Sequence, residues 1–276
     1  MNRSPVIAVV RSAPAALFVA VFAGLSCSTV PLTGRKQLNL VPQSEMLSTS
    51  FQQYGDFVKK NPVSTNRQGQ ELVRTVGTRI QHAVEEYMGA NGLADRLNGY
   101  AWEYTLVESK EVNAWCMPGG KVVVYTGILP LTKNEQGLAV VLGHEIAHAI
   151  AEHGNERMSQ EMMAQFGGAA LSELIKSKPA ETQKVWMGVF GAGAQYGVLL
   201  PFSRTHESEA DHLGLIFMAM AGYDPNGALD FWQRMAAAGT GNAPPEFMST
   251  HPADETRIGQ IRQNLPEAMK YYRPVR

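Results

Sequence analysis

Two hydrophobic periods divide the chain. Ser44 can cap a helix over 45–59, and Leu72, Val73, Val76, Ile80, Val84 and Tyr87 then share one face of a longer helix over 68–88, which Asn91-Gly92 breaks. The spacing next changes to that of strands. Three β-rich segments, Trp102–Val107, Val112–Cys116 and Val122–Tyr125, follow one another, and Pro118-Gly119-Gly120 makes a tight turn between the last two. From about residue 134 the pattern is helical again, with helices expected over 134–153, 155–176, 181–199, 203–221, 226–238 and 254–264. Gly222 and Asp224-Pro225 stop the fourth of these. A sheet followed by packed helices predicts an α+β fold, a mostly helical single domain with a small, largely antiparallel sheet. The run Val185–Phe202 is apolar but short for a membrane span; with four glycines it reads as a buried, closely packed helix, the alternative being a lipid-contacting hairpin.

The amino terminus follows a different rule. Arg3 and Arg11 precede a mostly apolar run over 13–25 that meets Ser26-Cys27. A basic start, a short apolar core and a small residue before the break describe a secretory signal over 1–26. The run falls short of the roughly 20 apolar residues of a comfortable span. A Cys at its end is the bacterial lipoprotein pattern, so the mature protein is expected to begin at a lipidated Cys27 and to be anchored to the outer membrane, facing the periplasm. Residues 27–43, rich in Pro, Thr and Gly, then read as a tether, and the folded domain as 44–276. A Cys27–Cys116 disulfide is the competing use of the two cysteines.

Composition narrows the function. With 24 Lys+Arg against 25 Asp+Glu the net charge is −1, which argues against a nucleic-acid partner. At 18% charged and 45% hydrophobic the chain is far from disordered compositions, and two cysteines exclude both a disulfide scaffold and a Cys-rich zinc site.

The chemistry centres on His144-Glu145-Ile146-Ala147-His148, inside a strongly helical run. Residues four apart on a helix differ by about 40° around its axis, so both imidazoles project side by side and can bind one cation. Glu145 sits where it reaches a water on that cation rather than the cation itself. A catalytic zinc usually takes a third protein ligand and keeps one open position. His153 lies about 140° around the helix from His148 and reads as a solvated or capping residue. His82 reads as an ordinary surface or core histidine. In Ser203–Gly214, Glu207 and Asp211 share one helix face: one can ligate, and the other can hold a ligand imidazole by its remaining N–H. Glu209 points elsewhere, about 200° from Glu207. His206 and His212 read as surface residues or as supports behind the ligands.

These segments resemble the zinc metallopeptidase family that includes the CAAX prenyl proteases and HtpX, most closely its periplasmic lipoprotein branch. The family pairs a His-Glu-x-x-His helix with a later Glu-x-x-Ala-Asp helix, here His144–His148 and Glu207-Ser-Glu-Ala-Asp211. Pro31-Leu-Thr-Gly-Arg-Lys-Gln-Leu38, Asn113-Ala-Trp-Cys-Met-Pro-Gly-Gly120, Leu199–Arg204 and Thr250–Ile258 match in the same order, over nearly the whole mature chain. Two departures bear on what carries over. The prenyl protease and HtpX branches span the membrane several times, as this chain does not, and the residues up to Arg276 leave no room for the helical-repeat domain of some periplasmic relatives.

The resemblance implies a gluzincin-type active-site helix beside the sheet and one Zn²⁺ per chain held by His144, His148 and Glu207. It implies Glu145 as the proton carrier in peptide-bond hydrolysis and His251 as an oxyanion donor or a resting-state fourth ligand. Arg257 is expected either to orient His251 or pair with Asp211, or to be an ordinary surface residue. Asn113, Ala114 and Trp115 would form an edge strand on which an extended substrate adds. The expected activity is endopeptidase action on misfolded or unassembled envelope proteins, and the expected partners are unfolded polypeptides and a membrane through the lipid anchor. The alternative is a chaperone-like or binding lipoprotein with a structural or latent zinc site. Oligomeric state is left open.

Overall fold

The computed structural model describes residues 27–178, 200–239, 245–251 and 255–274, with isolated positions between 180 and 188. The expected α+β architecture is present. A hairpin of β1 (Cys27–Thr29) and β2 (Lys36–Leu38) leads into α1 (Gln43–Lys60) and α2 (Arg67–Ala90). Strands β3 (Glu103–Val107), β4 (Ala114–Met117) and β5 (Lys121–Tyr125) follow, and the later elements among the described residues are helices: α3 (Leu129–Thr132), α4 (Glu135–Ile150), α5 (His153–Ile175), α6 (Leu200–Met220), α7 (Gly227–Ala238), α8 (Glu246–Thr250) and α9 (Glu255–Ala268).

The three-stranded sheet has the order β3-β5-β4. β5 pairs antiparallel with β4 (Ala114↔Val124) and parallel with β3 (Glu103↔Lys121), so two of the three strand ladders among the described residues, counting β1–β2, are antiparallel. All five residues of β5 are buried, as expected for a central strand. The β4–β5 turn needs Gly119 and Gly120 at φ 86° and 78°. A side chain at Gly120 would also meet the Trp102 ring at 2.5 Å. β4 is left on the edge of the sheet.

Helix α4 is the axle of the fold. Asn134 caps it, its side chain accepting from the Gly137 N–H at 3.0 Å. It is apolar nearly all round and buried on almost every side, packed among β4, α2, α6 and α7. It crosses α6 backbone to backbone: a Cβ on Gly143 would lie 2.8 Å from the Gly214 carbonyl oxygen, and one on Gly214 2.8 Å from the Gly143 carbonyl carbon. That crossing lies directly before His144 on α4 and three residues past Asp211 on α6, and so holds the two segments close together.

Three expectations change. The helix that carries His144 and His148 ends at Ile150 rather than 153, because Glu152 turns left-handed (φ 58°) and His153 opens a new helix. Residues 27–38, expected within a tether, form a hairpin docked on the body, with Val30 and Gln37 buried. Cys116 is a free thiol, so the alternative Cys27–Cys116 bridge is not formed. Most of the Val185–Phe202 stretch lies outside the described residues. Among the described residues no helix is long and apolar enough to cross a membrane.

Candidate metal centre

Four side chains from three elements converge. His144 and His148 come from α4, Glu207 from α6, and His251 follows α8 directly; one ligand atom from each lies within 4.8 Å of all the others. His144 Nε2 is 3.1 Å from both His148 Nε2 and His251 Nδ1. Glu207 reaches His144 Nε2 and His148 Nε2 at 3.3 Å and His251 Nδ1 at 2.9 Å. A tetrahedral site with arms of about 2.0–2.1 Å has edges of about 3.3 Å, so this donor set fits a zinc ion in spacing and in kind.

The surroundings are electrically graded. Asp211 Oδ1 accepts from His144 Nδ1 at 2.9 Å, which leaves Nε2 free to face the centre. Arg257 donates twice to Asp211 at 2.8 Å, pairs with Glu207 at 3.1 Å and lies 3.5 Å above the Trp232 ring. It is 5% exposed, so the surface reading of this arginine is overturned: packing against Trp232 makes it part of the core. Burial and Arg257 push the His144 imidazolium down, but Asp211 and Glu207 outweigh them and lift it to about 9. Burial alone would raise the Glu207 carboxyl, yet the surrounding imidazoles of His144, His148 and His251 hold it far below the usual carboxylate range. His148, under the desolvating effect of burial, is held neutral well below 6.5.

Glu145 is buried and pushed up by that burial. Its Oε1 has no hydrogen-bond partner and stands 3.4 Å from His251 Nε2. A buried carboxylate oxygen left without a hydrogen bond is costly, and here it sits at the edge of the donor cluster.

A cleft of about 350 Å³ runs past the cluster, lined by Asn113, Ala114 and Trp115 on one side and His148, Glu207 and His251 on the other. The Trp115 ring packs edge-on against Phe57 at 5.0 Å, so this residue contributes chiefly strand backbone to the cleft.

Some of the polar residues behind the site were placed wrongly by sequence reasoning. His153 is not solvated: it is 3% exposed, with Nδ1 2.9 Å from His148 Nδ1 and Nε2 3.2 Å from Glu209 Oε2. Burial lowers it to about 4. Glu209 does point away from Glu207, but onto this second histidine rather than into solvent. His206 is buried and bonded to Glu156 at 2.9 Å, which agrees with the expected support behind the site and not with the surface alternative. Arg35 and Glu156 gave no sign of a role beyond the Pro31–Leu38 match. His82 is exposed on α2, and His212 pairs with Glu267 at 2.9 Å.

Fold and site together assemble a four-donor cluster suited to one metal ion. The family model for peptidase family M48 matches residues 76–265, and the chain belongs to that family. It is similar to the mitochondrial metalloendopeptidase OMA1 of Schizosaccharomyces pombe, 37% identical over 190 residues covering 68% of this chain and 53% of the other. The human enzyme of that name is 29% identical over 247 residues, covering 87% and 46%. A beta-barrel assembly-enhancing protease of Yersinia pestis is 32% identical over 204 residues, covering 72% and 39%. The chain thus spans about half or less of the length of these relatives.

Proposed function

We propose that this chain is an active zinc endopeptidase that cleaves misfolded or unassembled proteins of the bacterial cell envelope. The observation that carries the reading is Glu145: a buried carboxylate with an unbonded oxygen beside a four-donor cluster has no use in a purely structural metal site. His144, His148 and Glu207 would hold one zinc. When bound, zinc supplies a Lewis acid that polarises the scissile carbonyl and lowers the pKa of water.

The chain's own groups do the rest. Glu145, its carboxyl raised by burial, takes the proton of the attacking water and returns it to the leaving amine; a carboxyl shifted towards neutrality suits both transfers. Asn113 and the start of β4, Ala114 and Trp115, line the cleft, and β4 is an edge strand among the described residues, so its outward backbone groups can take an extended substrate, which favours unfolded polypeptide over a side-chain code. Lipidation at Cys27 and an outer-membrane, periplasm-facing location are part of the proposal, supported by the Arg3–Cys27 pattern.

The test is cleavage of unfolded casein. We expect activity that a chelator abolishes and added zinc restores, and in Glu145→Gln a loss of about 10²–10⁴ in rate with zinc content retained. Wild-type cleavage by that variant would remove Glu145 as the proton carrier.

A second reading, a latent site, has one observation behind it: His251 Nδ1 sits among the other donors and would fill the fourth position. If His251 gates the site, His251→Ala raises peptide cleavage. If it stabilises the oxyanion, the same change lowers kcat by about 10²–10³. Unchanged kinetics would exclude both roles.

A further inference from the structure

The two α4 histidines are one turn apart, and each needs a partner on its outward nitrogen. His144 has Asp211. For His148 that partner is another histidine, and the direction of the bonds follows from Glu209. An ionised carboxylate only accepts, so His153 must carry its proton on Nε2 to bond Glu209 Oε2 at 3.2 Å. His153 Nδ1 is then an acceptor, and His148 donates to it from Nδ1 at 2.9 Å. That leaves His148 Nε2 as the lone-pair nitrogen facing the cluster, the form in which imidazole binds a metal.

What holds Glu209 comes from the other end of the chain. Arg35, in the turn before β2, donates through Nε and Nη2 to Glu209 at 2.9 Å each and through Nη1 and Nη2 to Glu156 at 2.8 and 2.6 Å. Thr33 adds a bond to Glu209 at 2.8 Å. Glu156 in turn accepts from His206, whose ring stacks on His153 with centroids 4.4 Å apart. Both carboxylates are buried, and the guanidinium fork bridges them.

We propose that Arg35 acts through Glu209 and His153 as a positioning residue for the metal ligand His148, which makes the N-terminal hairpin a working part of the metal centre. Without Arg35 two buried carboxylates face one another with no arginine between them, and Glu209 loses the hold that aims it at His153. The inference rests on the zinc reading above.

The experiment uses the full-length protein and measures zinc affinity by competition with a chromophoric chelator, alongside the visible spectrum of the cobalt-loaded protein. Wild type should bind one zinc. Arg35→Ala should bind it about 10–100-fold more weakly, the usual loss when an outer partner of a ligand histidine goes, with a changed cobalt spectrum. Arg35→Lys should recover part of the affinity, because an ammonium neutralises but cannot fork. Asn39→Ala is the control: Asn39 ties the same hairpin to Glu152 and does not touch His153, so its loss should leave affinity within about twofold and the spectrum unchanged. Should Arg35→Ala fail to fold, Glu209→Gln decides, since it keeps the shape and removes the carboxylate; weakened zinc binding supports the relay. Wild-type affinity and spectrum in a folded Arg35→Ala, or in Glu209→Gln if it does not fold, overturn the proposal, as does equal weakening in Asn39→Ala. A wild-type protein that takes up no zinc overturns the metal reading itself.

Discussion

The two halves of the His144–His148 turn are supported in opposite ways. On the His144 side a carboxylate bonds the ring directly, and Asp211 with Arg257 lies sealed under Trp232, both side chains at 4–5% exposure. On the His148 side the carboxylate acts through an intervening imidazole, and the arginine behind it is 22% exposed. One support is drawn from α6 and α9 in the core; the other reaches the hairpin before α1. The two candidate ligands of one helix turn are therefore supported from opposite ends of the chain, and only one of those supports touches solvent.

The sharpest way to break the contrast is Arg257→Ala. It leaves Asp211 charged and buried with only the His144 N–H to hold it, and removing one partner of a buried pair costs about 3–5 kcal/mol. Urea denaturation should show a loss of that order together with loss of zinc. Arg35→Ala should lose less stability in the same measurement, because water can reach its site; equal losses would mean that the two supports are energetically alike. A finer test uses acid. The Glu156 carboxyl meets a desolvation cost on burial, but bonds from Arg35 and His206 outweigh it and hold it at about 2, against 4.5 unperturbed. Its stabilising contribution is complete above about pH 4.5 and fades as pH falls towards 2. The Tm gap between wild type and Glu156→Gln should therefore be widest near pH 6 and shrink at pH 3; a constant gap would show that Glu156 is held by shape alone.

Much of this was legible in the chain because it rests on local periodicity. The turn at Pro118–Gly120, the helices and the His144–His148 face follow from spacing that a sequence displays directly. Asp211 was legible too, since four-residue spacing from Glu207 puts both on one face. What spacing could not reveal was anything fixed by a left-handed residue or by a partner more than a hundred positions away. His153 looked solvated because a continuous helix would turn it outward; the φ of 58° at Glu152 resets the phase and points it inward. Arg35 lies in a Pro-, Thr- and Gly-rich segment whose composition suggests a leash. Its value comes from carboxylates 121 and 174 residues further on.

The Gly143–Gly214 crossing carries an evolutionary consequence. In most packed pairs a bulkier residue on one side can be accommodated by a slimmer one opposite, so the two positions can drift together along compensated routes. Here both positions already carry the smallest side chain there is, and each would-be methyl meets backbone. No reciprocal substitution exists, so the pair has no neutral path away from glycine. The distance between the two helices that bear the donor groups is thereby locked against the gradual change that remodels other interfaces.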